Sequence, residues 1–221
     1  MKRRKIQKIR GVKSAGVMLF AGLLILLLVS CEQMFTYSPL SWAERDPSDL
    51  SDAQKIAYAE GALNSGDIDV MADAYDAIKD DANPDAQLLA SKLAIGASGL
   101  NEAAEEILTS IDTISDTELQ AVLDGIDNDM LDNAIAAMDV AEADSSTRKD
   151  ITAEDYLVIA AAILLADDSI DVTDPAIYTD PGFFGDATPD KNSSDTFDKA
   201  AYYLQEAGLD PADLEELLNF G

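Results

Sequence analysis

Residues 67–99 read D-I-D-V-M-A-D-A-Y-D-A-I-K-D-D-A-N-P-D-A-Q-L-L-A-S-K-L-A-I-G-A-S-G. Ile68, Met71, Ala74, Tyr75 and Ile78 recur every three or four residues, which is the spacing of one face of an α-helix. Asp67 stands where a side-chain oxygen caps a first turn. Asn83-Pro84 ends the run, because proline lacks a backbone N–H and biases the residue before it away from helix. Pro84 is itself suited to open a new helix. That helix, P-D-A-Q-L-L-A-S-K-L-A-I-G-A-S, closes at Gly99.

The same pattern extends both ways. Upstream, Asp49 and Ser51 are N-cap candidates for D-A-Q-K-I-A-Y-A-E-G-A-L-N, where Ile56, Ala59, Ala62 and Leu63 share a face and Gly66 is the stop. Downstream, Asn101 is expected to cap E-A-A-E-E-I-L-T-S-I. Ser115 caps a short helix with Leu119, Val122, Leu123 and Ile126 inward. Asp127 or Asn128 caps another with Met130, Leu131, Ile135, Met138 and Ala141 inward. Asp144 to Asp150 reads as a polar turn. Thr152 caps A-E-D-Y-L-V-I-A-A-A-I-L-L-A, with Glu154 and Asp155 matched to the helix N-terminus. At 14 residues it is a central core helix and not a membrane span, which needs about 20. Ser194 or Asp195 caps T-F-D-K-A-A-Y-Y-L-Q-E-A, and Asp210-Pro211 opens a final helix. The expectation is an all-α protein of about nine helices in antiparallel pairs. Residues 49–221 form one domain, with a long loop at 167–195.

The turns N-S-G-D at 64–67 and A-S-G-L at 97–100 lie 33 residues apart. Over roughly residues 52–111 this resembles the tetratricopeptide (TPR) repeat, a helix-turn-helix of about 34 residues. The resemblance implies that Ala59 meets Met71, that Ser91 or Lys92 meets Ala104, and that Tyr75 and Leu108 fill the bulky second-helix place. Two departures stand out: no large aromatic opens either first helix, and Met71 replaces an expected alanine. Farther on, Gly99 to Gly125 is only 26 residues, so any repeat has drifted. A right-handed TPR-like stack and an irregular helical bundle both fit.

The amino terminus is of another kind. Lys2, Arg3, Arg4, Lys5, Lys8, Arg10 and Lys13 form a basic head, and Val17 to Val29 is almost wholly apolar. Basic and apolar regions in this order make a secretory signal. It is followed by Leu28, Val29, Ser30 and Cys31, which resemble the lipobox of bacterial lipoproteins. That likeness implies cleavage before Cys31, diacylglycerol on its thiol and acylation of the new amino terminus. The alternative is an uncleaved membrane helix with an incidental cysteine. On the lipobox reading, residues 1–30 are a signal peptide and 31–48 the lipidated cysteine and its tether. Met34, Phe35, Tyr37, Leu40 and Trp42 make that tether apolar, to pack on the domain as a strap or to sit at the membrane interface. The likeness also implies that an Asp after the cysteine favours inner-membrane retention, so Glu32 leans toward the outer membrane, with the outer side of the inner membrane as the other place.

Seven of the 15 basic residues lie in that head, so residues 31–221 carry eight against 43 acids. Such a charge leaves no basic patch to displace counterions from a phosphate backbone, which excludes nucleic acid as a partner. The acids read as a solvated surface, as adaptation to salt, or as a site for cations or a basic partner.

Cys31 is the only cysteine and there is no histidine. No Ser-His-Asp, Cys-His or His-containing metal site can be assembled, and no glycine-rich phosphate loop occurs. The reading is therefore a non-enzyme without a cofactor. Asp167, Asp168, Asp171 and Asp174 could gather oxygens around a hard cation. Asp190, Asn192 and Ser194 have the odd-position spacing of a calcium loop, but lack its Gly and Glu. Tyr178, Phe183 and Phe184 form the candidate contact surface, or fold back onto the helices. The resemblances together imply an envelope lipoprotein that scaffolds another envelope protein. The alternative is a helical lipoprotein of a solute-uptake system, similar to TPR-containing subunits of TRAP transporters, or a structural envelope protein. The whole resembles short acidic lipoproteins of spirochaetes.

Overall fold

The computed structural model describes residues 47, 50–110, 113–167, 170 and 189–209. Within them the chain is all-helical, with no strand: α1 (Asp52–Ser65), α2 (Ile68–Ile78), α3 (Pro84–Ala97), α4 (Leu100–Ser110), α5 (Asp116–Leu123), α6 (Asn128–Ala143), a 3-10 turn (Thr147–Lys149), α7 (Ala153–Ala166) and α8 (Thr196–Glu206). No helix among the described residues is long and apolar enough to cross a membrane. The final helix expected from Asp210-Pro211 and, apart from Pro47, the tether at 31–48 lie outside the described residues.

Local chemistry places most of the boundaries. Asp67 accepts the Val70 N–H, Asp127 that of Met130, and Asp195 those of Phe197 and Asp198. Asn83 caps α3 with Pro84 inside its first turn. Ser115 with Glu118, and Thr152 with Asp155, close reciprocal capping boxes. Gly66 ends α1 at φ +67°, a left-handed conformation that costs a side-chain-bearing residue strain. Two expectations fail. Asn101 lies inside α4 and does not cap it, since the hydroxyl of Ser98 takes the Leu100 N–H at 3.2 Å and the helix starts earlier. Ile68 is 37% exposed because it opens α2, beyond the reach of its neighbours. The polar turn at 144–150 contains the 3-10 turn and buries Thr147, whose hydroxyl donates to Asp85 at 2.6 Å.

The hub is α3. Ten of its 14 residues are buried, including Ala86, Ala90, Ser91, Ala94, Gly96 and Ala97. These small side chains let neighbours approach from several sides. α1 and α2 fold against α3, while α6 lies along it in the broadest helix–helix contact of the described chain. Alanines recur on the facing helix, where Ala134, Ala137 and Ala141 are buried, and Ser91 donates its hydroxyl to the Ala134 carbonyl at 2.8 Å. α4 touches α3 only sparingly. α7 is a core helix, with Tyr156, Leu157 and Ile159 to Ile163 buried, but it lies mainly against α6 and α8 while α3 stays at the centre. Lys92 pairs with Asp155 at 3.0 Å and ties α3 to the start of α7.

Gly96 explains the methionine that departs from the repeat pattern. A β-carbon at Gly96 would lie 2.4 Å from the Met71 sulfur, so the thioether of α2 occupies the space that a side chain on α3 would need. Met71 is 3% exposed and has little room to retreat. A Gly96→Val change should lower stability by about 2 kcal/mol through overpacking. The midpoint of urea unfolding reads this, and a midpoint at or above the parent's would show that Met71 can swing aside.

Candidate functional site

Most of the residues singled out by the sequence lie outside the described residues: Leu28, Val29, Ser30, Cys31, Asp168, Asp171, Asp174, Tyr178, Phe183 and Phe184. Asp167 is described. It follows α7 as its C-cap, accepts the hydroxyl of Thr196 on α8, and receives the Ile170 N–H on its carbonyl at 2.9 Å. Asp190 accepts the backbone N–H of Asn192 at 2.9 Å and its side-chain amide at 3.1 Å. The odd-position spacing there forms a local turn. Among the described residues no group of three or more carboxylates converges as metal ligands.

The structure instead brings together a polar cluster that the sequence did not single out. Asp139 and Glu142 stand three residues apart in the last turns of α6, on one face. The Glu142 side chain is 0% exposed. One of its oxygens takes the Tyr202 hydroxyl and lies 3.4 Å from the Arg148 guanidinium, and the other takes the Lys191 ammonium. Asp139 accepts the Tyr203 hydroxyl on one oxygen and Lys199 on the other at 3.0 Å. Arg148 also pairs with Glu206 at 2.6 Å. Three of the eight basic residues beyond the amino-terminal head thus converge on two carboxylates. Charge this scarce, concentrated in one place, offsets the desolvation of Glu142.

All four carboxylate oxygens are engaged by side chains of the protein itself. The arrangement is a clasp that joins α6, the 3-10 turn, the turn at Lys191 and α8. Tyr202 and Tyr203 pack edge-to-face at 5.3 Å, and Tyr203 lies 6.1 Å from Tyr156 of α7. Burial pushes both phenols of α8 well above the usual tyrosine range. The bonds to Glu142 for Tyr202 and to Asp139 for Tyr203 push the same way. In the unfolded chain these phenols ionise near pH 10. Their protonated forms are favoured by folding, so their contribution is complete below that pH and falls as pH rises above it. Unfolding free energy should therefore drop above about pH 10. A Tyr202→Phe/Tyr203→Phe variant should flatten that drop in urea titrations run from pH 8 to 11, and an unchanged profile would exclude these phenols as its cause.

Open clefts border the core among the described residues. One, of about 720 Å³, lies between the start of α1 and the end of α2, beside Pro47. Its rim carries Asp52, Asp73, Asp76 and Asp80, with Lys55 as a basic counterpart. Another, of about 610 Å³, is bounded by α6, α7 and the start of α8. Ile135 and Ile163 give it an apolar floor, and Asp132, Asp167, Thr196 and Lys199 line its edge. Lys199 and Asp167 already hold partners there, Asp139 and Thr196. No family model, curated protein or solved structure matches this chain.

Proposed function

We propose that this protein is a lipid-anchored envelope lipoprotein whose helical domain scaffolds another envelope protein. The observation that carries the reading is the order of four features in residues 1–31: a basic head, an apolar run, Leu28-Val29-Ser30, and the only cysteine of the chain. The described helices support the scaffold part. They form one connected core around α3 and leave open clefts at its edges, the form of a body that presents surfaces rather than enclosing a substrate. The stack would be TPR-like in its first three helices, where α1, α2 and α3 all touch one another.

Charge specifies the client. With eight basic residues against 43 acids beyond the head, the surface repels acidic chains and anionic lipid and draws cationic segments. The client segment is therefore basic, and its association weakens with salt. The test is a crosslinking pull-down of the protein from its own membranes, beside a Cys31→Ala control. One stoichiometric envelope protein, recovered from the parent and lost from the control and at 0.5 M salt, is the expected result. Lipid and no protein partner from the parent would overturn the scaffold and direct attention to small-ligand binding, as in a solute-uptake system.

A further inference from the structure

We infer that the helical domain, whatever its client, needs cations from solution to reach full stability, and that they act most at α4 and α5. From Leu93 to Thr147 the chain has thirteen Asp and Glu and not one Lys or Arg. Among the described residues, the fold brings cations from elsewhere to two of those acids: Lys199 pairs with Asp139, and Lys191 and Arg148 with Glu142. No ion pair among the described residues reaches α4 or α5. Within α4, Glu102 stands three residues before Glu105 and four before Glu106, so like charges share one face, and all three are exposed. The helix ends lack compensation too. None of the eight described α-helices has a basic residue inside its last turn, where a cation would offset the negative end of the helix dipole. α4 has little to set against the repulsion, since it touches α3 only sparingly and buries Leu100, Ala103, Ala104 and Ile107 alone.

Salt weakens attraction as well as repulsion, so the sign depends on which is screened more. The attractive pairs are few, and those on Glu142 involve a fully buried carboxylate, which salt reaches least. The unmatched carboxylates are many and exposed, and salt reaches them most. Their repulsion extends about 30 Å at about 0.01 M ionic strength and about 3 Å at about 1 M. Added salt therefore stabilises this fold, because self-repulsion works against the compact state. The same salt that releases a basic client strengthens the domain that held it.

The test is urea unfolding of the full purified protein, in a nonionic detergent, from about 0.01 M to about 1 M sodium chloride. The parent is compared with Glu105→Gln/Glu106→Gln and with Asp76→Asn. Gln has nearly the helix propensity of Glu, so the double variant changes charge and little else. Asp76 is an acid already matched, by Lys79 at 2.7 Å. The parent's midpoint should rise by at least about 1 M urea across the salt range. The double variant should raise the midpoint by about 0.3 M urea at low salt and leave it unchanged at high salt. Asp76→Asn should not raise it at low salt, since the lost repulsion is offset by the lost pair. A parent midpoint that is flat or falls with salt would overturn the inference. So would a double variant that runs parallel to the parent across the range, since salt would then act through apolar burial and not through charge. A rise with Asp76→Asn as large as with the double variant would overturn the placing at α4 and α5.

Discussion

Replacing Cys31 with alanine is expected to abolish fatty-acid labelling of the protein and leave the precursor uncut. Both effects follow from one thiol. If it carries the diacylglycerol, the substitution removes every chain attached at that position and the step that licenses cleavage. Each buried methylene contributes about 0.8 kcal/mol and stable anchoring takes more than one chain, so loss of the anchor should be nearly complete. Intact mass should rise by the uncut amino-terminal segment, and fatty-acid label should vanish. A parent protein of full precursor mass and without fatty-acid label, matched in mass and sedimentation by its Cys31→Ala variant, would end the lipoprotein reading and favour an uncleaved membrane helix with an incidental cysteine.

Glu142→Ala is expected to be the most destabilising single change in the helical domain. The carboxylate is fully buried, and its removal leaves Lys191 and the Tyr202 hydroxyl without their acceptor inside the protein. Breaking a buried pair from one side costs about 3–5 kcal/mol, because the remaining charge is left uncompensated. Glu142→Gln keeps an acceptor for Tyr202 and should cost less. Lys191→Met should cost less again, since that side chain is 25% exposed. Urea unfolding of the three variants gives the order. A Glu142→Ala protein within about 0.5 kcal/mol of the parent would show that the clasp adds nothing to stability.

The elements were legible in the sequence because their determinants are local. Helix periodicity and caps act over three or four residues. Ser51, Asp67, Asn83, Ser115, Asp127, Thr152 and Asp195 each stand at the N-cap of their helix. Asn101 misled for a related reason. It is a good capping residue, but Ser98 and Gly99 start the helix before it. The hub was harder to read. α3 has fewer large apolar side chains than α7, and hydropathy favours α7 as the centre. Centrality is decided by how close neighbours can come, and alanine, serine and glycine allow the closest approach.

The polar cluster was only half legible. Asp139 and Glu142 share a face of α6, and Lys199, Tyr202, Tyr203 and Glu206 share one of α8, both readable from spacing. Nothing in either helix alone says that the two faces meet. With 43 acids in the chain, Glu142 looks like any other member of a solvated surface.

By itself, then, the sequence determined the helical class, nearly all helix starts, the acidic character of the domain and the candidate anchor at residues 28–31. The tertiary structure decided that α6 lies along α3, that Met71 takes the space left by Gly96, and that three scarce cations gather on Asp139 and Glu142. The division is physical. Backbone hydrogen bonds and caps join residues a turn apart, whereas packing and charge pairing join residues 40 to 60 positions apart, where side-chain volume and the folded path choose the partner.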